Sequence, residues 1–162
     1  MPSSNSIGQR GEKAAETSLC RPSANFPEYQ FRPIPLGDKA ELFDFVVHLL
    51  DADNNILGPH FFVQVKTTET PAAVSCNARF SKDEVAKAVT FKAPSYLVGV
   101  DASDPTGERI FIKGIDFDRT KGISRISSTQ SLDDDFVRDS LYKEVLAHYN
   151  AAAYAFKTGL NK

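Results

Sequence analysis

The chain has 162 residues, enough for one domain with a substantial core. Hydrophobic residues make up 41% and charged residues 25%, an ordinary balance for a globular protein, and no apolar run is long enough to cross a bilayer. The formal net charge of −2 argues against a uniformly basic nucleic-acid coat, while leaving room for a local basic groove.

The first six residues are polar and lack the apolar stretch of a signal peptide. Cys20 and Cys76 do not make a disulfide framework, and no CxxC or His/Cys spacing points to zinc. Together these features imply a reducing, cytoplasmic setting. Acidic residues gather at Asp133-Asp134-Asp135. Basic ones are dispersed through Arg79, Lys82, Lys87, Lys92, Lys113, Arg119, Lys121 and Arg125, a distribution that ordinarily reflects solvation.

In chain order, Ser6 is placed to cap a helix from about Ile7 to Cys20, with Ile7, Ala14, Ala15 and Leu19 as its apolar stripe. Gly8 and Gly11 weaken its first turns, unless a glycine there lets the backbone approach another element. Arg21-Pro22 ends it. A weak strand is expected at Tyr29–Arg32, and Pro33 and Pro35 then impose an irregular link. Leu42 to Leu50 reads as a strand, Asp51 to Asn55 as a turn, and Phe61 to Thr68 as the second arm of an antiparallel hairpin.

Val74 to Phe80 reads as a short strand. Ser81 with Glu84 forms a capping box for a helix through about Phe91, with Val85, Ala88 and Val89 inward, which Ala93-Pro94 stops. Ser95 to Val100 is a nearly continuous apolar run, as in a strand buried on both faces. Asp104 to Gly107 turns the chain into a returning strand, Arg109 to Lys113. Thr120 to Ser131 reads as loop. A last helix is expected from about Leu132 to Lys157, with Phe136, Leu141, Val145, Leu146 and Tyr149 on its face and Gly159 as its C-terminal cap. The order predicts an α/β core with a mixed sheet.

The segment with chemical content is Phe61-Phe62-Val63-Gln64-Val65-Lys66. Strand alternation puts Phe61, Val63 and Val65 on one side and Phe62, Gln64, Lys66 and Thr68 on the other. A lysine at such a position is costly to bury without a partner, and Asp44 is the candidate partner. If the hairpin turns near Asn54, Asp44 and Gln64 are equidistant from the turn and lie opposite each other, with Cβ atoms about 5 Å apart. A hard cation such as Mg²⁺ takes oxygen ligands. Asp44 offers a carboxylate, Gln64 an amide oxygen and Val65 its carbonyl. Lys66 then faces a phosphate and an attacking water, stabilising charge and positioning water rather than removing a proton.

Gly11-Glu12 on the first helix, Asp44 and Gln64-Val65-Lys66 together resemble the PD-(D/E)XK nuclease superfamily. The strings Ile7 to Glu12, Gln64 to Thr68 and Ala93 to Asp101 look like a prokaryotic branch attached to defence and mobile-element proteins, near the Holliday-junction-resolvase and Mrr-type restriction folds. The resemblance covers roughly residues 6 to 115. It implies a restriction-endonuclease-like core (αβββαβ) whose mixed central sheet is flanked by helices; the C-terminal helical extension over about 131–158 lies outside the resemblance, and the whole reads as one nuclease-like domain.

The resemblance further implies a Mg²⁺- or Mn²⁺-dependent DNA endonuclease, the effector of a prokaryotic defence system. Glu12 would be the first-helix acid and a water-mediated metal ligand, Asp44 the central ligand, Gln64 the third and Lys66 the catalytic lysine. DNA is the implied partner, with a homodimer and a partner ATPase or sensor among further assemblies and no membrane. The sequence departs from the pattern at Gln64, where an acid usually stands, and at Phe43, where a proline often precedes the aspartate. The first departure lowers the site's negative charge.

Other readings stand beside this one. A lone strand lysine can snorkel or blunt a sheet edge. Glu12 and Glu16 each read alone as solvated helix positions. His48, His60 and His148 read as packed or surface residues, Cys20 and Cys76 as buried thiols, and Tyr96 and Phe91 as core. A nuclease fold that has lost catalysis and serves as a nucleic-acid- or protein-binding regulatory module is the second reading. A structural domain that docks through the C-terminal helix is the third.

Overall fold

The computed structural model describes residues 4–25, 30–37 and 40–151. Its elements run α1 (Ser4–Leu19), β1 (Phe31–Pro35), β2 (Phe45–Leu50), β3 (Ile56–Thr68), β4 (Ser75–Phe80), α2 (Lys82–Thr90), β5 (Ser95–Asp101), β6 (Arg109–Gly114), β7 (Ile123–Ser127) and α3 (Asp135–Ala151). Five strands form a mixed sheet in the order β1-β2-β3-β5-β6. β3 and β5 are parallel, while β1–β2, β2–β3 and β5–β6 are antiparallel. A parallel neighbour needs a crossover, and the crossover here carries both β4 and α2. β4 pairs with β7 in a separate two-stranded sheet.

Side-chain alternation divides the core into two layers. Phe61, Val63 and Val65 of β3, with Val98 and Val100 of β5, pack on one face against Ala15 and Leu19 of α1 and Leu141, Tyr142 and Val145 of α3. On the other face Leu97 and Phe111 meet Val85 and Ala88 of α2, Cys76, Ala78 and Phe80 of β4, and Ile123 and Ile126 of β7. Covered on both sides, β5 is buried along its whole length, as its apolar run predicts. Gly99 lets the small sheet sit this close: a Cβ there would lie 3.0 Å from the Cys76 Sγ and 3.3 Å from the Ala78 Cβ.

The Ser81–Glu84 capping box, the returning strand β6 and the antiparallel hairpin form as expected, except that the second arm of the hairpin, β3, begins at Ile56 rather than Phe61 and takes in Pro59. Several local expectations are corrected. α1 starts upstream of Ser6, so Ser6 is a first-turn residue and not the cap. Gly11 is tolerated because its close contact with Thr67 outweighs propensity, whereas nothing lies within 4 Å of a Cβ built at Gly8. β1 runs through Pro33 and Pro35. It is an edge strand paired only with β2, and an edge tolerates residues without an N–H. Tyr29 lies outside the described residues. β2 begins at Phe45, and Leu42 and Phe43 reach the second core layer from the approaching loop.

The segment expected as loop after Thr120 contains β7. Its inward residues, Ile123 and Ile126, are an odd number apart, and a register shift in the β4–β7 pair lets both face the core. That break in period two hides the strand. α3 begins at Asp135, where Asp134 accepts the Phe136 N–H at 2.9 Å. Its buried stripe is Val137, Leu141, Tyr142 and Val145, and Phe136 falls off the stripe at 76% exposure. The expected end of this helix and its Gly159 cap lie outside the described residues. No described helix is long and apolar enough to cross a membrane.

α3 is built into the core. The buried Asp139 accepts from Ser23 Oγ (2.9 Å), Asn25 Nδ2 (2.6 Å) and Gln30 Nε2 (2.8 Å), tying the helix to the α1–β1 connection. Arg138 donates to the carbonyls of Leu132 and Pro22, and the Tyr142 hydroxyl donates to the Leu50 carbonyl at 2.6 Å. Removing residues 132–162 therefore uncovers the part of this sheet face that α1 does not cover, and leaves the Ser23, Asn25 and Gln30 donors without their carboxylate. The truncated protein is expected to show no cooperative thermal transition by circular dichroism. A native-like melting curve would contradict this placement of α3.

Candidate functional site

The register of β2 and β3 builds the site. Phe45 pairs with Val63, Val46 with Phe62 and His48 with His60. One step further, Asp44 stands beside Gln64, as the hairpin arithmetic predicts. A register shift does occur, but between His48 and Leu50, on the turn side of the site. The Asp44 backbone is held on both sides, donating to the Val63 carbonyl at 2.8 Å and accepting the Leu36 N–H at 2.9 Å.

The Asp44 side chain turns onto β3. Its Oδ2 accepts the Val65 N–H at 2.6 Å and the Gln64 Nε2 at 2.7 Å. The same amide nitrogen donates to the Val65 carbonyl at 3.2 Å. A carboxylate oxygen, a backbone carbonyl and a side-chain amide thus converge on one point, at present filled by the positively polarised NH₂ of Gln64. Burial pushes the Asp44 carboxyl above its ordinary range, and the Val65 N–H and the charge of Lys66 offset part of that rise.

Lys66 shares a strand face with Gln64, and its partner is not Asp44. Its Nζ donates to Glu84 Oε1 at 3.1 Å and lies 6.0 Å from the centre of the Phe80 ring. Sequence reasoning assigned Glu84 only to the capping box, which it does form: Oε2 accepts the Ser81 N–H at 2.6 Å. The carboxylate therefore serves two masters, with one oxygen on the helix start and the other on the lysine. Burial alone would raise the Glu84 carboxyl. The Ser81 N–H and Lys66 together hold it below the usual value. Nothing local in the sequence signals this contact, because it depends on where the crossover sets α2 against β3.

Glu12 lies on α1 directly after Gly11. A Cβ on Gly11 would fall 1.8 Å from Thr67 Oγ1 and 3.0 Å from Thr67 Cβ. The glycine thus allows the close approach that the sequence anticipated, and it fixes the Glu12 Cα at about 3.8 Å from a residue in contact with the C-terminal end of β3. Glu16 is paired with Lys13 at 2.9 Å on the helix surface.

The remaining candidates are packing residues. The rings of His48 and His60 meet at a tilt of 50° across the hairpin with centres 5.7 Å apart, and burial, His60 and Arg32 lower the His48 pKa. Cys76 is buried and its thiol is pushed up to about 11, chiefly by burial, whereas Cys20 is half-buried. Tyr96 is buried, with its hydroxyl on Glu144 at 2.6 Å. Phe91 departs from expectation: it is 49% exposed and covers Phe43 and Phe62 from outside.

Among the described residues, no three His, Cys, Asp or Glu side chains gather as a metal-binding group. The donor set at Asp44 is of another kind: one carboxylate, one amide and one carbonyl, all hard oxygens once the Gln64 amide turns over. That set suits Mg²⁺ or Mn²⁺, which retain several waters. No family model, curated protein or solved structure matches the chain.

Two outcomes follow from this geometry. Asp44 has a raised folded-state pKa, so its ionisation favours the unfolded chain. Its stabilising effect is complete below the ordinary value of 3.8 and is lost as pH rises through the folded value. Asp44→Asn is accordingly expected to be more stable than wild type at pH 7 in metal-free urea denaturation, and the two should converge near pH 3. Glu84 and Asp139 have lowered values, so their contributions hold above their ordinary values of 4.5 and 3.8 and fade as pH falls further. Separately, Gly11→Ala should cost about 1–3 kcal/mol through overpacking. Pairing it with Thr67→Ala should recover part of that loss in a double-mutant cycle, whereas strict additivity would mean that the contact is not what limits α1.

Proposed function

We propose that this chain is a divalent-metal-dependent endonuclease domain acting on DNA, of restriction-endonuclease-like architecture and allied to the PD-(D/E)XK superfamily through its Gln-x-Lys branch. The convergence of Asp44, Gln64 and the Val65 carbonyl, with Lys66 on the same strand face, carries the reading. The element order supports it: α1, the antiparallel run β1-β2-β3, then α2 and the parallel strand β5 follow the αβββαβ order, with β4 inserted in the crossover. The third strand of that core is then β1 rather than the Val74 to Phe80 segment. The same resemblance makes the protein a cytoplasmic effector of prokaryotic defence, working as a homodimer or beside an ATPase or sensor.

In this reading Asp44, Gln64 and the Val65 carbonyl hold the cation, and Glu12 reaches it through water. When bound, a divalent cation supplies Lewis-acid stabilisation of a phosphoryl oxygen and lowers the pKa of water. The Val65 N–H fixes the Asp44 carboxylate. Gln64 must turn its amide so that oxygen, not nitrogen, faces Asp44. Lys66 must exchange Glu84 for the phosphate, and it then offsets the negative charge that develops on the phosphoryl oxygens.

That exchange also favours a second reading. Gln64 bridges Asp44 and the Val65 carbonyl, while Glu84 neutralises Lys66, so the charged groups are satisfied within the chain. A domain that binds nucleic acid or protein without cutting would look the same.

Incubation with supercoiled plasmid and Mg²⁺ or Mn²⁺ separates the two. Wild type is expected to nick or linearise it, Asp44→Ala to lose activity, and Lys66→Ala to fall about 10²-fold or more. Equal survival of plasmid with wild type and Asp44→Ala would leave the binding module. Gln64→Glu offers an independent readout. It sets a second carboxylate against Asp44, so without metal its melting temperature should drop through like-charge repulsion. Added Mg²⁺ should raise that temperature more than it does for wild type, and a shift no larger than the wild-type one would remove the metal from this position.

A further inference from the structure

The basic residues that look dispersed in the sequence are not dispersed in space. An open groove of about 790 Å³ runs between the C-terminal end of β3, the β4–β7 ribbon and the start of α2. Lys66, Arg79, Lys82 and Arg125 line it, and no carboxylate does. Glu84 neutralises Lys66 from outside the lining, so Arg79, Lys82 and Arg125 give the groove its charge, a local reversal in a chain with more acidic than basic residues. Arg79 and Arg125 project from the outer face of the ribbon, opposite the buried Ala78 and Ile126. Asn77 pairs with Arg125, and Arg79 follows two residues along the same strand. Among the ion pairs of the described residues, none involves Arg79, Lys82 or Arg125. Cations held close together without carboxylates favour a ligand that brings several negative charges.

We infer that this groove is a track for the sugar–phosphate backbone of duplex DNA, with Arg79, Lys82 and Arg125 gripping phosphates and Lys66 joining the track to the Asp44 site. The inference rests on the proposed nuclease reading and names the surface that holds its substrate. Asn77 and Ser124 along the same walls offer the neutral donors that accompany lysine and arginine at phosphates. The one aromatic side chain in the lining, Phe80, is fully buried in the second core layer. Proteins that hold single strands stack bases on exposed aromatic rings. This groove offers none, so it reads backbone and not bases, and a duplex fits it better than an unpaired strand.

The test is fluorescence anisotropy with a labelled 20-base-pair duplex in EDTA, where binding is separated from cleavage, over a series of salt concentrations. Each phosphate contact contributes about 0.9 to the slope of log K against log salt. The double variant Arg79→Ala/Arg125→Ala should lower the slope by about 1.8, a weakening of roughly 60-fold at 0.1 M salt. Lys82→Ala should lower it by about half as much. The double variant Lys87→Ala/Lys143→Ala removes the same charge from exposed positions on α2 and α3 outside the groove, and it should bind like wild type. The single-stranded form of the same sequence should bind wild type more weakly than the duplex.

Equal slopes for the two double variants would overturn the inference, and so would tighter binding of the single strand. Plasmid cleavage and duplex binding, measured side by side, keep the fates of the two ideas apart. If wild type never cuts plasmid but its duplex binding depends on Arg79 and Arg125, the groove stands and the nuclease reading falls. If wild type cuts in an Asp44-dependent way while the Arg79/Arg125 variant cuts with unchanged KM and salt response, the nuclease reading stands and the groove falls.

Discussion

The hydrogen bonds between the Asp44 carboxylate and the start of the Gln64-Val65-Lys66 run hold the site together. Asp44 sits just ahead of β2, where the ladder with β3 gives out. Its side chain continues that ladder by accepting the Val65 N–H, a donor that backbone pairing with β2 would otherwise take up. One carboxylate thereby completes a sheet and exposes a negative charge at its margin. The cost is visible in the raised pKa of Asp44, since burial penalises the charged form more than its partners compensate. A carboxyl whose charged form is disfavoured by its surroundings is the kind of feature that marks a functional position.

Much of the architecture could be read from the chain because local signals agreed with the tertiary result. Ser81 and Glu84 marked α2, the apolar run from Ser95 marked a strand covered on both faces, and Asp51 to Asn55 marked the hairpin turn. The face shared by Gln64 and Lys66 followed from period two alone, and the position of Asp44 from symmetry about Asn54. What escaped depended on distant parts of the chain. β1 carries prolines that deny a strand locally but are harmless at an edge. β7 has its isoleucines at an odd spacing that only the β4 register explains. The contact of Glu84 with Lys66, and the gathering of Arg79 and Arg125, exist only once the crossover has placed β4 and α2 over β3.

The C-terminal helix divides the resemblance from the fold. The motifs that point to a nuclease end well before α3, yet α3 covers the same sheet face as α1. Asp139 draws three donors from the connection between α1 and β1, and Arg138 reaches carbonyls at Pro22 and Leu132. The last described element is thus locked to the loop that follows α1. α1 in turn is seated on β3 through Gly11. Placement of Glu12 therefore draws on packing from both ends of the chain.

The double duty of Glu84 has a dynamic consequence. One carboxylate closes the first turn of α2 and neutralises Lys66, so the two tasks share a single free energy. Anything that draws Lys66 away, such as a phosphate in the groove, removes one of the groups that hold Glu84 ionised and in place. The start of α2 then loosens, and Ser81 and Lys82, which border the same groove, gain freedom as the lysine turns to its new partner. Conversely, a well-formed first turn holds Glu84 where it competes for the lysine. Helix fraying and site charge are linked quantities, and hydrogen exchange at the α2 N-terminus becomes a reporter of what Lys66 is touching.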